Sequence, residues 1–310
     1  MSPNPIMQGT NRPRVMIAGA TGYIGGLLIP LLERKGVALR CLARSPEKLR
    51  PRVQPATEIV PGDVLDVATL DRALDGMHTA YYLVHLMAGV KHFEAQDRQA
   101  ALNFATAARR AGVQRIIYMG GLGDDTDPNL SPHLKSRHEV GKILRESGVE
   151  TIEFRSAVVV GAGSLSFDLV KTLTDRLPIM ICPRWLATLT QPIAVDDVLA
   201  YLLAAKDLPP GPSRILEIGG ADVVPYGDLV REYARQKGLH RWLISVPVLT
   251  PYLSSLWLAL VTPKSFEVGK HLIEGLRNPT IVRDNTALGV FPIHPVGIRE
   301  AVALAMAGQS

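Results

Sequence analysis

The sequence predicts an α/β fold in which a doubly wound parallel sheet carries helices on both faces. Over the first 160 residues, short apolar runs alternate with longer segments of helical periodicity. Strands and helices that alternate in this way are joined by right-handed crossovers and form a parallel sheet. The hydrophobic fraction of 47% and the charged fraction of 20% also suit a globular chain with a sizeable core.

Length, composition and charge exclude several classes of protein. The 310 residues suffice for about two domains, and their composition excludes a disordered, a collagen-like or a small disulfide-stapled chain. With 34 Lys and Arg against 29 Asp and Glu, the net charge of +5 favours anionic ligands but is too diffuse to indicate a nucleic-acid partner. For Cys41 and Cys182, two buried free thiols in a reducing cytoplasm are favoured over one disulfide.

Six strands and four helices are predicted in the first part of the chain. Three of the helices end at a glycine, Gly36, Gly112 or Gly148. Pro30 lies inside the first helix, where we expect a kink rather than a break because the leucines around it continue the apolar face. The predicted strands are residues 15–18, 38–43, 57–60, 79–84, 115–119 and a strand within 150–160. The predicted helices are the segment from a glycine-rich turn to residue 35, and residues 67–74, 95–111 and 134–147.

The second half of the sequence is less regular. Residues 191–198 are predicted to be a strand entering a helix that runs to about residue 205, with Asp196 as its N-cap. A further strand is predicted at residues 215–218, and helices at residues 226–237, 266–276 and 295–307.

Residues 242–263 raise the question of membrane contact. These 22 residues carry no charge, which meets the length criterion for a spanning helix, but Pro247 and Pro251 interrupt the first half. We favour a strand followed by a buried helix in a substrate-binding region. The alternative is an interfacial segment with weak membrane or lipid contact.

The strongest functional signal is the segment Gly19-Ala20-Thr21-Gly22-Tyr23-Ile24-Gly25, which follows a predicted strand and opens a helix. Glycine at these positions permits a tight turn, a close approach of the backbone to a pyrophosphate, and close packing of helix on strand. The N–H groups and the positive dipole at the helix start then attract phosphates. This segment predicts a Rossmann-type dinucleotide-binding site.

The organisation of the chain follows from this assignment. Residues 1–12 are expected to be a flexible tail, since they are polar and lack the apolar core of a signal peptide. Residues 13–165 form the predicted Rossmann domain. Residues 166–310 form a smaller, mostly helical region, which is expected to return to the sheet at about residues 190–220 and to build a lid over the substrate.

The residues after the second strand favour NADP(H) over NAD(H). An NAD site usually has an Asp or Glu there, which binds the ribose 2′-hydroxyl. This chain has Arg44 followed by Ser45, and a guanidinium can clamp a 2′-phosphate instead. More positive charge lies nearby, on Arg40, Lys48, Arg50 and Arg52.

These motifs resemble those of the atypical branch of the short-chain dehydrogenase/reductase superfamily. The spacing of the three glycines in the Gly19–Gly25 segment is the form that this branch uses. The resemblance extends over residues 14–307 and includes NmrA-like proteins and proteins similar to the NADPH-binding accessory subunit of respiratory complex I. The other matching segments are residues 61–63, 113–118, 120–123, 136–141, 154–155 and 192–198.

The resemblance implies positions around the cofactor. Asp63 and Val64 should flank the adenine, and residues 83–85 should lie near the ribose. Residues 156–158 should lie near the nicotinamide. The cofactor-binding residues that this implies, besides the glycine-rich segment, Arg44 and Ser45, are Asp63, Val64, Leu83, Val84, His85, Lys142, Ala157 and Val158.

Typical members of the superfamily use a Tyr-x-x-x-Lys pair and a serine for proton transfer. This sequence has Lys142, but His138 stands at the tyrosine position, and Gly120 or Gly121 stands in place of the serine. Residues i and i+4 share a helix face, so His138 and Lys142 would face either the cleft or solvent. An imidazole can act as a general acid or base near neutral pH, so both residues are candidate catalytic groups. The alternative is a surface histidine beside a ribose-binding lysine.

Other polar residues give weaker signals. His85, His92 and His133 can contribute to a pocket, but their spacing matches no usual metal-ligand pattern, so no metal site is expected. The acidic residues 124, 125 and 127 are interpreted as a solvated turn. A Gly-x-Ser-x-Gly elbow is absent from the sequence, which argues against an acyl-transfer hydrolase.

Three functions remain open from the sequence. The first is an NADPH-dependent oxidoreductase whose small or apolar organic substrate lies under Phe167, Trp185 and the apolar segment from Trp242. The second is a non-catalytic NADP(H)-binding redox sensor or assembly protein, which the missing tyrosine and serine favour. The third is a membrane-surface enzyme acting on a lipid or quinone. A homodimer is common in the superfamily, but no residue establishes one here.

Overall fold

A seven-stranded parallel sheet forms the centre of the protein, as the sequence predicts. The computed structural model describes residues 14–86, 93–182, 184–245 and 277–308. All neighbouring strands pair in parallel, in the order β11-β6-β5-β4-β1-β2-β3. The strands are β1 Arg14–Ala18, β2 Ala38–Ala43, β3 Glu58–Pro61, β4 Thr79–Tyr82, β5 Arg115–Gly121, β6 Glu150–Ser156 and β11 Arg214–Ile218.

The strands contribute alternate side chains to two separate hydrophobic cores, one on each face of the sheet. In β1, Val15 and Ile17 pack into one core, whereas Met16 and Ala18 pack into the other, because successive strand residues point to opposite faces. The first core is covered by α1 Tyr23–Arg34, α7 Val195–Ala205 and the short helix α9 Thr286–Val290. The second is covered by α3 Val67–Leu74, α4 Phe93–Arg110 and α5 Pro132–Arg145. A one-turn helix, α2 Pro46–Leu49, follows β2.

The direction in which successive strands are added to the sheet reverses between β1 and β4. The first three strands build outward from β1 on one side, and β4, β5, β6 and β11 build outward on the other. The amide of Leu83, which follows β4, donates to the carbonyl of Ala18 at the end of β1, with a separation of 2.9 Å. The carboxyl ends of β1 and β4 therefore flank the topological switch point, where ligands of such sheets bind.

The second half contains three small sheets, in which strands are confirmed within residues 191–198 and at the start of 242–263, whereas their pairing was not predicted. The predicted strand within residues 150–160 divides, because β6 ends at Ser156 and β7 Val159–Val160 pairs in parallel with β10 Ile193–Ala194. The other two pairs are β8 Ile179–Cys182 with β13 Trp242–Ser245, and β9 Leu189–Thr190 with β12 Val224–Pro225. The remaining helices are α6 Leu165–Arg176, α8 Tyr226–Gln236 and α10 Ile298–Ala307.

Several local predictions require correction. The N-cap of α7 is Ala194, whereas Asp196 lies in the first turn. The last helix begins at Ile298 rather than at residue 295, because Val296 is used to donate its N–H to the Asp197 carboxylate at 3.0 Å. By contrast, α1 continues through Pro30 without a break.

The two cysteines and residues 242–263 can also be compared with the predictions from the sequence. Both cysteines are free and buried. Residues 242–245 belong to β13, and the rest of the 242–263 segment, like the helix predicted at residues 266–276, lies outside the described residues. Among the residues that the structure describes, no helix combines the length and the apolar character needed to cross a bilayer.

Candidate functional site

The glycine-rich turn between β1 and α1 leaves no space for side chains at two positions. Gly19 has a φ of +91°, and a Cβ there would lie 2.5 Å from the carbonyl oxygen of Leu83. A Cβ at Gly25 would lie 2.3 Å from the carbonyl oxygen of Gly19. The backbone of the turn, the start of α1 and the end of β4 are therefore in direct contact. This contact explains why glycine is required at both positions.

The start of α1 presents unpaired backbone N–H groups to the switch point. The N-cap residue, Gly22, offers no side-chain cap, and the amide of Gly26 donates to the carbonyl of Gly22 at 2.8 Å. The N–H groups of the turn before Gly26 have no intrahelical acceptor. Together with the helix dipole, these groups form a site for a pyrophosphate.

A polar groove of about 470 Å³ runs along the carboxyl ends of the strands at this point. It brings together eleven of the residues predicted to bind the cofactor: Gly19, Thr21, Gly22, Tyr23, Ile24, Arg44, Asp63, Val64, Leu83, Val84 and His85. Six predicted residues do not line it: Ala20, Gly25, Ser45, Lys142, Ala157 and Val158. Ala20 and Gly25 lie on the inner side of the turn, since Ala20 is fully buried and Gly25 packs on Gly19.

The end of the groove at β2 and β3 carries one cation, Arg44, and one carboxylate, Asp63. The side chain of Arg44 is 75% exposed, and its Nη1 lies 3.9 Å from Oδ2 of Asp63. The other oxygen of Asp63 accepts the N–H of Leu65 at 3.0 Å. Arg44 is therefore loosely paired and has room to turn toward an anionic ligand in the groove.

An apolar cavity of about 380 Å³ opens from the other end of the groove. The cavity and the groove share Tyr23, Ile24, His85, Met119 and Arg137, so they form one continuous cleft. Ala157 and Val158, which were predicted near the nicotinamide, line the cavity. Its apolar wall consists mainly of Leu165, Leu169, Val170, Leu173, Met180, Leu186, Leu229 and Val230.

The predicted lining of the substrate site was partly wrong. Phe167 is 1% exposed and packs edge-on against Tyr233, with ring centroids 5.8 Å apart, so it belongs to the core beneath α6 and α8. Leu165 and Leu169, on the other face of α6, line the cavity instead. Trp242 is 72% exposed and does not line the cavity.

Arg137 stands at the junction between groove and cavity. Its guanidinium donates to the carbonyl of Val84 at 3.1 Å and also to the carbonyl of Met119. It lies over the ring of Tyr118, 4.8 Å from the centroid. Arg137 thus ties the ends of β4 and β5 together, at the position where the cofactor ribose is expected.

Two imidazoles meet at the same junction. The ring centroids of His85 and His133 are 4.9 Å apart, with a tilt of 30° between the planes. Both side chains line the cavity, and His85 also lines the groove. His85 is exposed where it faces the cleft. Desolvation by the surrounding protein, together with the charges of Arg137 and His133, lowers the pKa of His85 well below 6.5.

His138 and Lys142 do not line this cleft, which corrects their predicted placement. The side chain of Lys142 is 66% exposed, with Nζ 3.9 Å from Glu146. His138 is 8% exposed; its Nε2 lies 2.9 Å from the carbonyl oxygen of Gly121 and its Nδ1 lies 2.5 Å from Asp125. Both residues border a surface depression on the other side of α5.

The physical reason is the rotation of α5 about its own axis. The helix contains two histidine–cation pairs at the same i, i+4 spacing, and neighbouring residues are displaced by about 100° around a helix. His133 and Arg137 therefore face the cleft, while the second pair faces away from it. The sequence signal that identifies the first pair is this repeated spacing, which the match to Lys142 obscured.

A buried charged cluster supports the back of α5 and the ends of β5 and β6. Glu153 is fully buried and pairs with Arg145, and its Oε1 lies 2.7 Å from Nε of Arg155. Nη1 of Arg155 lies 2.8 Å from Asp125. A Cβ at Gly141 would lie 2.3 Å from the Glu153 carboxylate, so glycine permits this approach. Asp125 is therefore an anchored residue of this charged cluster rather than part of a purely solvated turn.

The charged cluster shifts two pKa values. Partial burial raises the pKa of Asp125, but the hydrogen bond from Arg155 and the charge of His138 outweigh it, so the pKa lies below its usual range. Burial and then the charge of Arg155 lower the pKa of His138, against the opposing effects of Gly121 and Asp125.

We expect acidification to destabilise the protein between pH 7 and pH 5. The folded pKa of His138 lies below its unfolded value of 6.5, so the unfolded chain binds the proton first and stability falls as pH decreases through this window. Urea unfolding at pH 7 and pH 5 measures the effect, and His138→Gln should reduce the difference. A wild-type protein that becomes more stable at pH 5 contradicts the prediction and indicates an imidazolium paired with Asp125.

A segment near the end of the chain fastens the loop that precedes α5. Ser131 is the N-cap residue of α5, and its N–H donates to Oδ1 of Asn278 at 3.1 Å. Nδ2 of Asn278 donates to Asp127 at 3.0 Å and to the carbonyl of Asn129 at 3.2 Å. Thr280, two residues later, lines the cavity. Sequence reasoning missed this contact, because it joins residues 147 positions apart.

No metal centre is present in the described part of the chain. Among these residues, no group of three or more His, Cys, Asp or Glu side chains is arranged to hold an ion.

Comparisons with known proteins agree with this cleft. Residues 19–156 match the NAD(P)H-binding family model. A 3β-hydroxysteroid dehydrogenase/Δ5→4-isomerase of Mycobacterium tuberculosis is 31% identical over 268 residues, which cover 75% of this chain and 71% of the relative. Ceramide reductase of Caulobacter vibrioides is 27% identical over 268 residues, covering 83% and 82%.

A solved structure shows the same fold. The Bordetella bronchiseptica enzyme WbmG in complex with NAD superposes with a TM-score of 0.72 at 17% sequence identity, covering 98% of this chain and 96% of that one. The fold, the glycine-rich turn and the relatives together show that the chain is an NAD(P)H-binding oxidoreductase of the atypical branch of the short-chain dehydrogenase/reductase superfamily.

Proposed function

We propose that the protein reduces a carbonyl group on an apolar organic substrate and uses NADPH as the reductant. The observation that carries this proposal is the continuity of the polar groove with an apolar cavity of about 380 Å³. A hydride donor in the groove would meet a substrate in the cavity at their shared residues. Two relatives support an apolar substrate, since they are named for a hydroxysteroid and for ceramide.

The residues of the groove fit a dinucleotide. The cradle formed by Gly19 and Gly25 would be filled by any Cβ, and the first turn of α1 offers N–H groups to the pyrophosphate. Reduced NADP, when bound, supplies a hydride to the substrate carbon. Arg137 holds the carbonyls of Val84 and Met119 in place at the expected ribose position. The apolar wall of the cavity excludes water from the reacting carbon.

Arg44 supports the choice of NADPH. It is exposed, lines the groove and is only loosely paired with Asp63. The groove lining contains no other acidic residue at the ends of β2 and β3 that would bind a ribose 2′-hydroxyl. A guanidinium can instead bind a 2′-phosphate through charge-assisted hydrogen bonds.

A fluorescence titration with NADPH and NADH tests the cofactor choice. Wild-type protein should bind NADPH more tightly, and Arg44→Ala should lose about 1.5–3 kcal/mol of NADPH binding, which is about 10- to 150-fold in Kd. Its affinity for NADH should change little. Lys48→Ala, a nearby exposed cation that does not line the groove, is the control. Equal affinity of the wild type for both nucleotides contradicts the NADPH assignment.

The alternative function is a non-catalytic NADP(H)-dependent sensor or assembly protein. The observation that favours it is that His138 stands where typical members have the catalytic tyrosine, and Gly120 or Gly121 where they have the serine. A screen with NADPH and apolar ketones, including a steroid 3-ketone and 2-dodecanone, separates the two functions. Tight NADPH binding without turnover of any ketone supports the sensor.

A further inference from the structure

The junction between groove and cavity contains few groups that can supply a proton. Reduction of a ketone to an alcohol requires one proton in addition to the hydride. Among the residues that the structure describes, the titratable side chains that line the cavity are Tyr23, His85, His133, Arg137, Cys182 and Tyr226. This question rests on the proposed function, because only a reduction needs the proton.

Three of these groups hold their protons too firmly. Burial raises the pKa of Tyr23 to about 12, helped by the charges of Asp168 and Asp196. Burial also raises the pKa of Cys182 and of Tyr226, whose hydroxyl lies 2.9 Å from that of Thr280. None of them is a good proton donor near neutral pH.

Arg137 is excluded for a different reason. A guanidinium does not release its proton in proteins, and that of Arg137 already donates to two backbone carbonyls. The two histidines remain.

We propose that His85 and His133 act together as the proton donor for the substrate oxygen. Their rings are in contact, with centroids 4.9 Å apart, and both line the cavity at its junction with the groove. The substrate carbonyl carbon gains a C–H bond with the hydride of the reduced nicotinamide cofactor. The π electron pair of the carbonyl moves to oxygen, which takes an N–H proton from the imidazole pair. The cofactor is oxidised, the ketone is reduced, and the neutral pair regains its proton from water.

The surroundings of the pair suit this role. Desolvation, the charge of Arg137 from α5 and the second imidazole all disfavour an imidazolium at His85, so charges on both rings at once are disfavoured. On the α4 side, the carboxylate of Asp97 accepts the N–H of Leu86 at 3.3 Å and the hydroxyl of Ser136 at 3.1 Å. Tyr23, from α1, borders the same junction. An imidazolium at this site therefore releases its proton readily to a developing alkoxide.

Two glutamine variants and their combination test the proposal. With NADPH and either a steroid 3-ketone or 2-dodecanone, we expect His85→Gln and His133→Gln each to lower kcat about 100- to 1,000-fold. The double variant should be no slower than the slower single variant, because residues that act as a unit are not additive. Wild-type kcat should fall as pH rises and the pair loses its proton, and this decline should disappear in the variants.

Measurements of NADPH binding and NMR titrations separate a role of the histidines in proton transfer from a role in cofactor binding. His133 does not line the groove, so His133→Gln should bind NADPH with an unchanged Kd. In the cofactor-free protein, NMR titration of the histidine Cε1 protons should show that His85→Gln shifts the titration of His133. His240→Gln, an exposed histidine away from the cleft, is the control and should retain wild-type kcat.

The outcomes distinguish a failure of the proton-donor proposal from a failure of the proposed reductase function. Wild-type kcat and an unchanged pH profile in His133→Gln, with NADPH bound normally, overturn the proposal. So do NMR titrations of the two histidines that are independent of each other. If the wild-type protein binds NADPH but reduces no ketone, the proposed reductase function fails, and the proton-donor role fails with it.

Discussion

Replacing Gly25 with alanine is expected to abolish measurable NADPH binding. The added Cβ would lie 2.3 Å from the carbonyl oxygen of Gly19 and 3.1 Å from the Cα of Ala20. Both atoms belong to the backbone of the phosphate-binding turn, so the turn itself must move. Losing two charge-assisted contacts to the pyrophosphate, each worth about 1.5–3 kcal/mol, lowers affinity by at least about 100-fold.

The neighbouring glycine provides a matched control. A Cβ at Gly26 would lie 2.7 Å from Nη2 of Arg52, the far end of a flexible side chain. Gly26→Ala should therefore bind NADPH as the wild type does, and gain about 1 kcal/mol from helix propensity. Titration of NADPH fluorescence gives both affinities, and circular dichroism shows whether Gly25→Ala is folded. A folded Gly25→Ala protein with wild-type affinity would show that the turn does not hold the cofactor.

Replacing Glu153 with glutamine should destabilise the protein by about 3–5 kcal/mol, because it removes the buried anion that pairs with two cations in the charged cluster behind α5. Glu153 is fully buried and Arg155 is 3% exposed, and both Arg145 and Arg155 pair with Glu153. Within the cluster, Arg155 would retain only Asp125, which is half-exposed. The charges of Arg145 and Arg155 would then lie close together with only partial compensation.

Urea unfolding at pH 7 measures this loss. The control is Glu139→Gln, which removes an exposed pair with Arg98 and should change stability much less. The double variant Glu153→Gln, Arg145→Met should be more stable than Glu153→Gln alone, since it removes one uncompensated cation. A loss below about 1 kcal/mol in Glu153→Gln would mean that water reaches the charged cluster.

The parts of the fold that sequence reasoning predicted correctly depend on local patterns. The sheet and the phosphate-binding turn follow from alternating apolar runs and from glycines at short spacing, which constrain their own neighbours in the chain. The small pairs β7–β10, β8–β13 and β9–β12 have two to four residues in each strand. Such short segments have no periodicity that distinguishes them from loops, and their partners lie far away in sequence.

Most residues predicted to bind the cofactor line one groove, whereas the predicted lining of the apolar cavity differs from that of the structure. The cofactor residues follow strand ends, where topology alone brings them together. The choice between His133 and His138 depends on how α5 is rotated, and packing against β5 and β6 determines that rotation. The same holds for α6, where Phe167 faces the core and Leu165 faces the cavity. Helical spacing identifies residues that share a face but not the neighbour that the face meets.

The contacts of Asn278 and Thr280 have a consequence for the order in which the protein is made. The phosphate-binding turn is held by residues that precede position 84, so a nascent chain can form it soon after β4 has left the ribosome. The loop before α5 and the wall of the cavity, by contrast, are completed only by Asn278 and Thr280. We therefore expect the surface that receives the cofactor phosphates to mature early in translation, and the substrate cavity to close only when synthesis is nearly finished.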